Sequence, residues 1–199
     1  MTPQTFVFFG RSGSGKGTQA DLLIKWLKAN DASRQTLYIQ TGQKGRDFAK
    51  QDNFSARRIK DFIDNGKLFP AFIPIYFWTQ VLVESIQEGT EHIILDGLCR
   101  RPEEAPILDG ALQFYKRVQP IIVVINVSEE WATRRLLDRQ RSDDIPKDIK
   151  NRLDWYEKEV VPAIDHFRAH PEYYKVLDIH GEQSVAAVHQ ELLQKSGFL

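Results

Sequence analysis

The stretch Gly10-Arg11-Ser12-Gly13-Ser14-Gly15-Lys16-Gly17-Thr18-Gln19, GRSGSGKGTQ, follows the apolar run Phe6-Val7-Phe8-Phe9. A strand that enters a glycine-rich loop and opens a helix is the setting of a phosphate-binding loop. Gly13 and Gly15 permit backbone conformations closed to other residues, so the N–H groups around Ser14 can turn inward toward phosphate oxygens. The N-terminus of the following helix adds a partial positive charge, and Lys16 supplies a full one. A Ser or Thr would ordinarily follow that lysine. Here Gly17 stands in its place and the hydroxyl comes one position later, at Thr18. A glycine-rich turn without a ligand is the alternative reading, and the rest of the chain decides between them.

Outward from this loop, short β-rich apolar runs alternate with longer helical patterns. Candidate strands are 5–9, 36–39, 92–95, 120–127 and 174–179. Candidate helices are 16–29, 53–64, 72–88, 103–118, 128–139, 146–168 and 184–195. Leu22, Leu23, Trp26 and Leu27 recur at helical spacing and give the first helix one apolar stripe. Strands with few polar residues, separated by helices, predict a parallel sheet covered on both faces. The expected fold is α/β: a three-layer, doubly wound, five-stranded parallel sheet of the P-loop nucleoside triphosphate hydrolase type. Two helical segments between 41 and 69 suggest a small inserted lobe, and residues 140–142 form a polar break between two Arg-rich helices. The aromatic cluster FPAFIPIYFW, 69–78, reads as core packing rather than a ligand surface.

Composition narrows the function classes. The 199 residues suffice for one well-buried domain. Lys plus Arg and Asp plus Glu number 27 each, so no bulk field draws the chain to nucleic acid or a membrane, and any anion site is built locally. The single cysteine, Cys99, excludes an intrachain disulfide and a multi-cysteine zinc site. The opening MTPQTFVFFG lacks a basic n-region, and no apolar run is long enough to span a bilayer. A cytosolic protein is expected, as a monomer, with an oligomer as the alternative.

Further motifs follow the glycine loop in an order that resembles the adenylate kinase family of nucleoside monophosphate kinases. That family's loop reads GKGT, which is the sequence of residues 16–18 with the preceding glycine. Residues 41–46, TGQKGR, resemble its TGxxxR segment; residues 66–70, GKLFP, its GKLVP; residues 96–100, DGLCR, its DGFPR. Residues 135–139, RLLDR, resemble its arginine helix, and Arg141-Ser142-Asp143-Asp144 with Arg152, Leu153 and Tyr156 its RxDD…RL..Y pattern. The resemblance runs over essentially the whole chain. It implies a single domain, 1–199, made of a core, an acceptor-binding lobe at about 41–70 and a minimal lid at about 139–142.

The chemistry agrees with the residue types. Bringing two nucleotides together needs several guanidinium groups that grip phosphate oxygens in pairs. Taken singly, each arginine is equally a surface or ion-pair residue; the family pattern is what makes convergence expected. By resemblance, Gly13, Ser14, Gly15, Lys16, Gly17 and Thr18 hold ATP, with Arg135 against its base. Thr41, Arg46, Arg100 and Glu104 take the nucleoside monophosphate. Lys16, Arg100, Arg139, Arg141 and Arg152 surround the transferring group. Thr18 and Asp96 organise Mg²⁺, chiefly through water, and Asp143 and Asp144 orient the lid arginines. The implied ligands are ATP, Mg²⁺ and a nucleoside monophosphate, AMP first, with GMP or a deoxynucleotide as alternatives. A P-loop kinase of another small acceptor and a nucleotide-binding module without catalysis remain as competing readings.

Three positions depart from the family pattern. Cys99 stands where DGFPR has proline, so a cis peptide there is not expected and the loop carrying Arg100 can follow another path; a buried thiol is the expectation. Glu104 stands where adenylate kinases usually place a glutamine. An ionised carboxylate only accepts hydrogen bonds, which suits guanine's N1–H and N2 amino group better than adenine. A Glu104 turned to solvent is the alternative. Third, only Gln140 separates Arg139 from Arg141, which leaves almost no lid loop.

Overall fold

The computed structural model describes residues 1–139 and 144–199. Five strands, β1 (Thr5–Phe9), β2 (Thr36–Gln40), β3 (His92–Asp96), β4 (Ile121–Asn126) and β5 (Lys175–His180), form one sheet in the order β2-β3-β1-β4-β5. Every pairing is parallel. The inner strands β1, β3 and β4 are buried runs because both faces are covered. Alternate residues Val7, Phe9, Leu95 and Ile122 face one side, where they pack with Trp78, Leu108 and Phe167. Phe6, Phe8, Ile94 and Val123 face the other and meet Leu23, Leu27, Val188 and Leu192. This two-residue alternation produces the expected three layers.

The helices are α1 (Lys16–Asn30), α2 (Thr41–Phe48), α3 (Phe54–Asp64), α4 (Phe72–Ser85), α5 (Ala105–Phe114), α6 (Glu129–Arg139), α7 (Pro146–Trp155), α8 (Val161–Arg168) and α9 (Val185–Ser196). Asn53 caps α3 by accepting the Ala56 N–H at 2.8 Å, and Ser184 caps α9 through the Ala187 N–H at 3.2 Å. Two helices stop before their sequence patterns do. At the end of α4, Glu91 Oε1 accepts the Gln87 and Glu88 N–H groups at 2.8 and 2.9 Å and draws the chain out of the helix. At the end of α5, Lys116 adopts φ 51° while Arg117 N–H returns to Leu112 O, a Schellman closure. Arg117 is thereby turned inward, where it is buried and donates to Thr5 Oγ1 and to the carbonyls of Gln4 and Glu91. The long pattern over 146–168 is interrupted by one π turn, Tyr156–Val160. Pro162, which has no N–H to offer, breaks the regular ladder there.

The chain between β2 and α4 is tied back to α7. Gly66 has φ +58°, and a Cβ placed on it would lie 2.8 Å from Asp148 Cβ and 3.0 Å from its Cα. Trp155 Nε1 donates to Gly66 O at 3.3 Å. Gly66→Ala is therefore expected to cost about 2–4 kcal/mol, combining left-handed strain with a backbone clash. Urea denaturation would read it as a lower midpoint at unchanged slope.

Candidate active site

In this strand order β1 is the switch point of the sheet, and ligand crevices open at the carboxyl ends of the strands beside such a point. The loop from Gly10 to Gly15 lies there. Gly13 has φ +85°, and a Cβ on it would come within 2.7 Å of Ala132 O, so a side chain is excluded where the loop passes under α6. α1 starts at Lys16 with no capping side chain and no acid in its first turn, which leaves its first N–H groups available to an anion. Lys16 Nζ folds back and donates to Gly10 O at 2.7 Å and Arg11 O at 2.9 Å. Burial lowers its pKa to about 8; the Asp96 carboxylate opposes this, and Arg100 and Arg139 add to it. Positive charge from two further elements therefore acts on the lysine.

A cleft of about 660 Å³ opens above this loop. Gly13, Gly15, Lys16, Gly17 and Thr18 form one wall; Thr41, Arg46, Arg100 and Glu104 form another; Asp96, Arg135, Arg139 and Arg152 close it. Ser14 is buried beneath the loop, with its hydroxyl unpaired in the protein. Arg141 and Asp143 lie outside the described residues, as does nearly all of the expected lid.

The arginines are held in two groups. Arg46 and Arg100 meet at the N-terminal turn of α2, where a Cβ on Gly42 would fall 3.5 Å from Arg46 Nη1 and 3.4 Å from Arg100 Nη2. Arg100 is fixed by its Nε bond to Gly97 O at 3.0 Å and lies 5.9 Å over the Trp155 ring. On the other side, Asp144 accepts both arms of Arg139, at 2.9 and 2.8 Å, and Arg152 Nη2 at 2.8 Å. Asp144 thus orients arginines, as the sequence pattern implies.

Asp96, at the end of β3, accepts from Gln40 Nε2 at 3.2 Å and from the Tyr38 hydroxyl at 3.3 Å. Burial and the Asp96 charge both push the Tyr38 phenol up, so it stays a donor. Neither Tyr38 nor Gln40 stands out in the sequence. The signal is the ladder register, which sets Gln40 beside Asp96, with Tyr38 two residues back on the same face. Among the described residues no three His, Cys, Asp or Glu side chains gather as a metal cage. Thr18 and Asp96 supply two oxygen donors to one cleft, a set that suits Mg²⁺ held mainly by phosphates and water.

One reading of the sequence changes here and two are narrowed. The 69–78 cluster divides: Phe77 and Trp78 are core, Phe72 and Tyr76 are 67% and 51% exposed, and Phe69 and Pro74 line the cleft with Ile63 and Leu68. Cys99 is a buried thiol, raised by burial and the nearby Glu104, and its φ of 50° is closed to proline. The loop before Arg100 thus follows a path that the family's proline does not allow. Glu104 is only 1% exposed and faces the cleft, not solvent.

A rigid cradle of backbone N–H groups beside converging guanidinium groups is suited to one kind of chemistry: holding polyphosphates while charge moves between them. The molecule is a P-loop phosphotransferase. The sequence model of the Adenylate kinase family matches residues 8–172. Adenylate kinase from Corynebacterium glutamicum strain R is 31% identical over 96% of this chain and 98% of its own length. Adenylate kinase from Oenococcus oeni is 29% identical over 92% and 93%, and Adenylate kinase 1 from a Nostoc species 29% over 94% and 95%. The chain belongs to the adenylate kinase family and is a nucleoside monophosphate kinase. No helix among the described residues is long and apolar enough to cross a membrane.

Proposed function

We propose that this chain transfers the terminal phosphoryl group of ATP to a nucleoside monophosphate, AMP first, giving ADP and the nucleoside diphosphate. The observation that carries this reading is the convergence of Lys16, Arg46, Arg100, Arg139 and Arg152 on one cleft in a chain of zero net charge. The loop amides and the N-terminus of α1 hold the donor phosphates, and Arg135 lies at the donor end. Arg46 and Arg100, with the first turn of α2, hold the acceptor phosphate. Lys16, Arg139 and Arg152, joined by Arg141, neutralise the migrating group from several sides, so catalysis is mainly positioning and charge stabilisation. Mg²⁺, bound through Thr18, Asp96 and water, would neutralise charge on the donor phosphates. Residues 41–70 serve as the acceptor lobe and residues 139–142 as a minimal lid on a core formed by the rest. We place the protein in the cytoplasm, as a monomer.

The test is a product assay with Mg·ATP and, separately, AMP, GMP, CMP, UMP and dAMP. Nucleoside diphosphate formed stoichiometrically with ADP is expected, with a purine acceptor preferred. Nucleotide binding without turnover of any acceptor would replace this reading with that of a binding module.

A further inference from the structure

Glu104 closes the 3₁₀ turn Pro102–Glu104 ahead of α5, and its burial leaves one carboxyl oxygen, Oε2, without a hydrogen-bond partner in the protein. An unpaired buried acceptor is costly unless a ligand completes it. Thr41, 3% exposed, also faces the cleft with an unpaired hydroxyl. The same cleft is lined by the apolar side chains of Ile63, Leu68, Phe69 and Pro74, on which a flat heterocycle could lie. These polar atoms lie beside the Arg46–Arg100 phosphate grip and within the same cleft, which is where the base of a nucleotide held by that grip would rest.

We propose that Glu104 selects the acceptor's base by whether its carboxyl group carries a proton. Neutral, it presents an O–H donor beside a carbonyl acceptor, the complement of adenine's N1 lone pair and N6 amino group. Ionised, it presents two acceptors, the complement of guanine's N1–H and N2 amino group. The inference rests on the nucleoside monophosphate reading of the cleft and adds to it a pH-set choice between purines.

The surroundings hold the group near the balance point. Burial is the larger influence and raises its pKa to about 7; Arg100 and the backbone N–H groups of Arg100 and Arg101 act against it, and Glu103 acts with it. Cys99, behind it, is an uncharged buried thiol. α2 brings Arg46 to the guanidinium of Arg100. α8, which packs on the same turn, directs its charges elsewhere: His166 lies 3.9 Å from Asp109, while Arg168 binds Asp165 and Asp178. From α5, Asp109 accepts the Tyr174 hydroxyl at 2.6 Å. The Arg101 side chain donates to Phe69 O and pairs with Glu159.

The experiment is calorimetric binding of AMP and of GMP, without ATP, between pH 6 and pH 8. Ionisation of the phosphate is common to both ligands and cancels in their affinity ratio. The wild-type AMP-to-GMP ratio is expected to fall by about a hundredfold across this range, following titration of one group near neutrality. At pH 8, AMP binding should take up close to one proton more in wild type than in Glu104→Gln, whose amide keeps donor and acceptor at every pH. In that variant the ratio should stay flat. A flat ratio in wild type, which requires no variant, overturns the proposal, and so does equal proton uptake by the two proteins. A shifting ratio in a protein that transfers no phosphoryl group upholds Glu104 and removes the kinase reading. Active transfer with a flat ratio does the opposite.

Discussion

Lys16→Met is expected to lower kcat for phosphoryl transfer by about 10³-fold while the protein stays folded. Losing one preorganised charge from a transition state of this kind is worth roughly 10²–10³ in rate, and Lys16 is the only lysine in the phosphate loop itself. Its ammonium group is held on the carbonyls of Gly10 and Arg11, and the residue lines the cleft where a triphosphate would bind. Met fills a similar volume without the charge. Circular dichroism should therefore be preserved while single-turnover transfer collapses. The same residue sets an alkaline limb. With its pKa brought down to about 8 by burial, the free protein carries the ammonium charge below that pH and loses it above. The triphosphate binds the charged form, so kcat/KM for ATP should fall as pH rises through about 8. Bound triphosphate favours the cation, so the limb in kcat should lie at higher pH. A kcat/KM flat to pH 9.5 would show that Lys16 does not bind the donor phosphates.

What could be read from the sequence was local, and what could not was set by distant partners. β1, the glycine loop and α1 form a contiguous unit whose chemistry is its own sequence, and both its boundaries were legible. The inner strands were legible because burial on both faces leaves them almost uniformly apolar. The ends of α4 and α5 were not, since Glu91 and the inward turn of Arg117 decide them from outside the helical patterns. In the site, the arginines were legible as a set, but their pairing through Asp144 and the support of Asp96 by Gln40 and Tyr38 depend on tertiary contacts and strand register. Glu104 was legible as a departure from a pattern; its direction was not. Nothing in a local window distinguishes a carboxylate facing solvent from one buried at the mouth of a 3₁₀ turn. Phe69 shows the same limit, since membership of an aromatic run does not tell which rings reach the core.

Asp144→Ala should produce the largest loss of stability among the site residues, and nucleotide should reverse part of it. The Asp144 side chain is fully buried, accepts a two-pronged bond from Arg139 and a third bond from Arg152, and so supports the side of the cleft opposite Arg46 and Arg100. Arg152 is itself 8% exposed. Removing the acid takes from Arg139 and Arg152 a buried carboxylate that both bind, and breaking a buried pair in this way costs about 3–5 kcal/mol. Thermal unfolding in buffer should show a drop of roughly 6–20 °C at this chain length, scaling from about 2–4 °C per kcal/mol. A bound polyphosphate would bring compensating negative charge to the same guanidinium groups. Saturating ATP should therefore raise the midpoint of the variant by more than it raises that of wild type, a difference that simple loss of packing does not produce. Turnover should not recover with stability. Without the bidentate grip, Arg139 is no longer held in one orientation, and misplacing such a group by about 1 Å costs on the order of 10²-fold in rate. Asp144→Asn keeps the shape and one acceptor oxygen but not the charge, and should fall between the two proteins in both measurements. Equal stabilisation of wild type and Asp144→Ala by ATP would mean that Asp144 supports the fold without orienting the arginines toward phosphate.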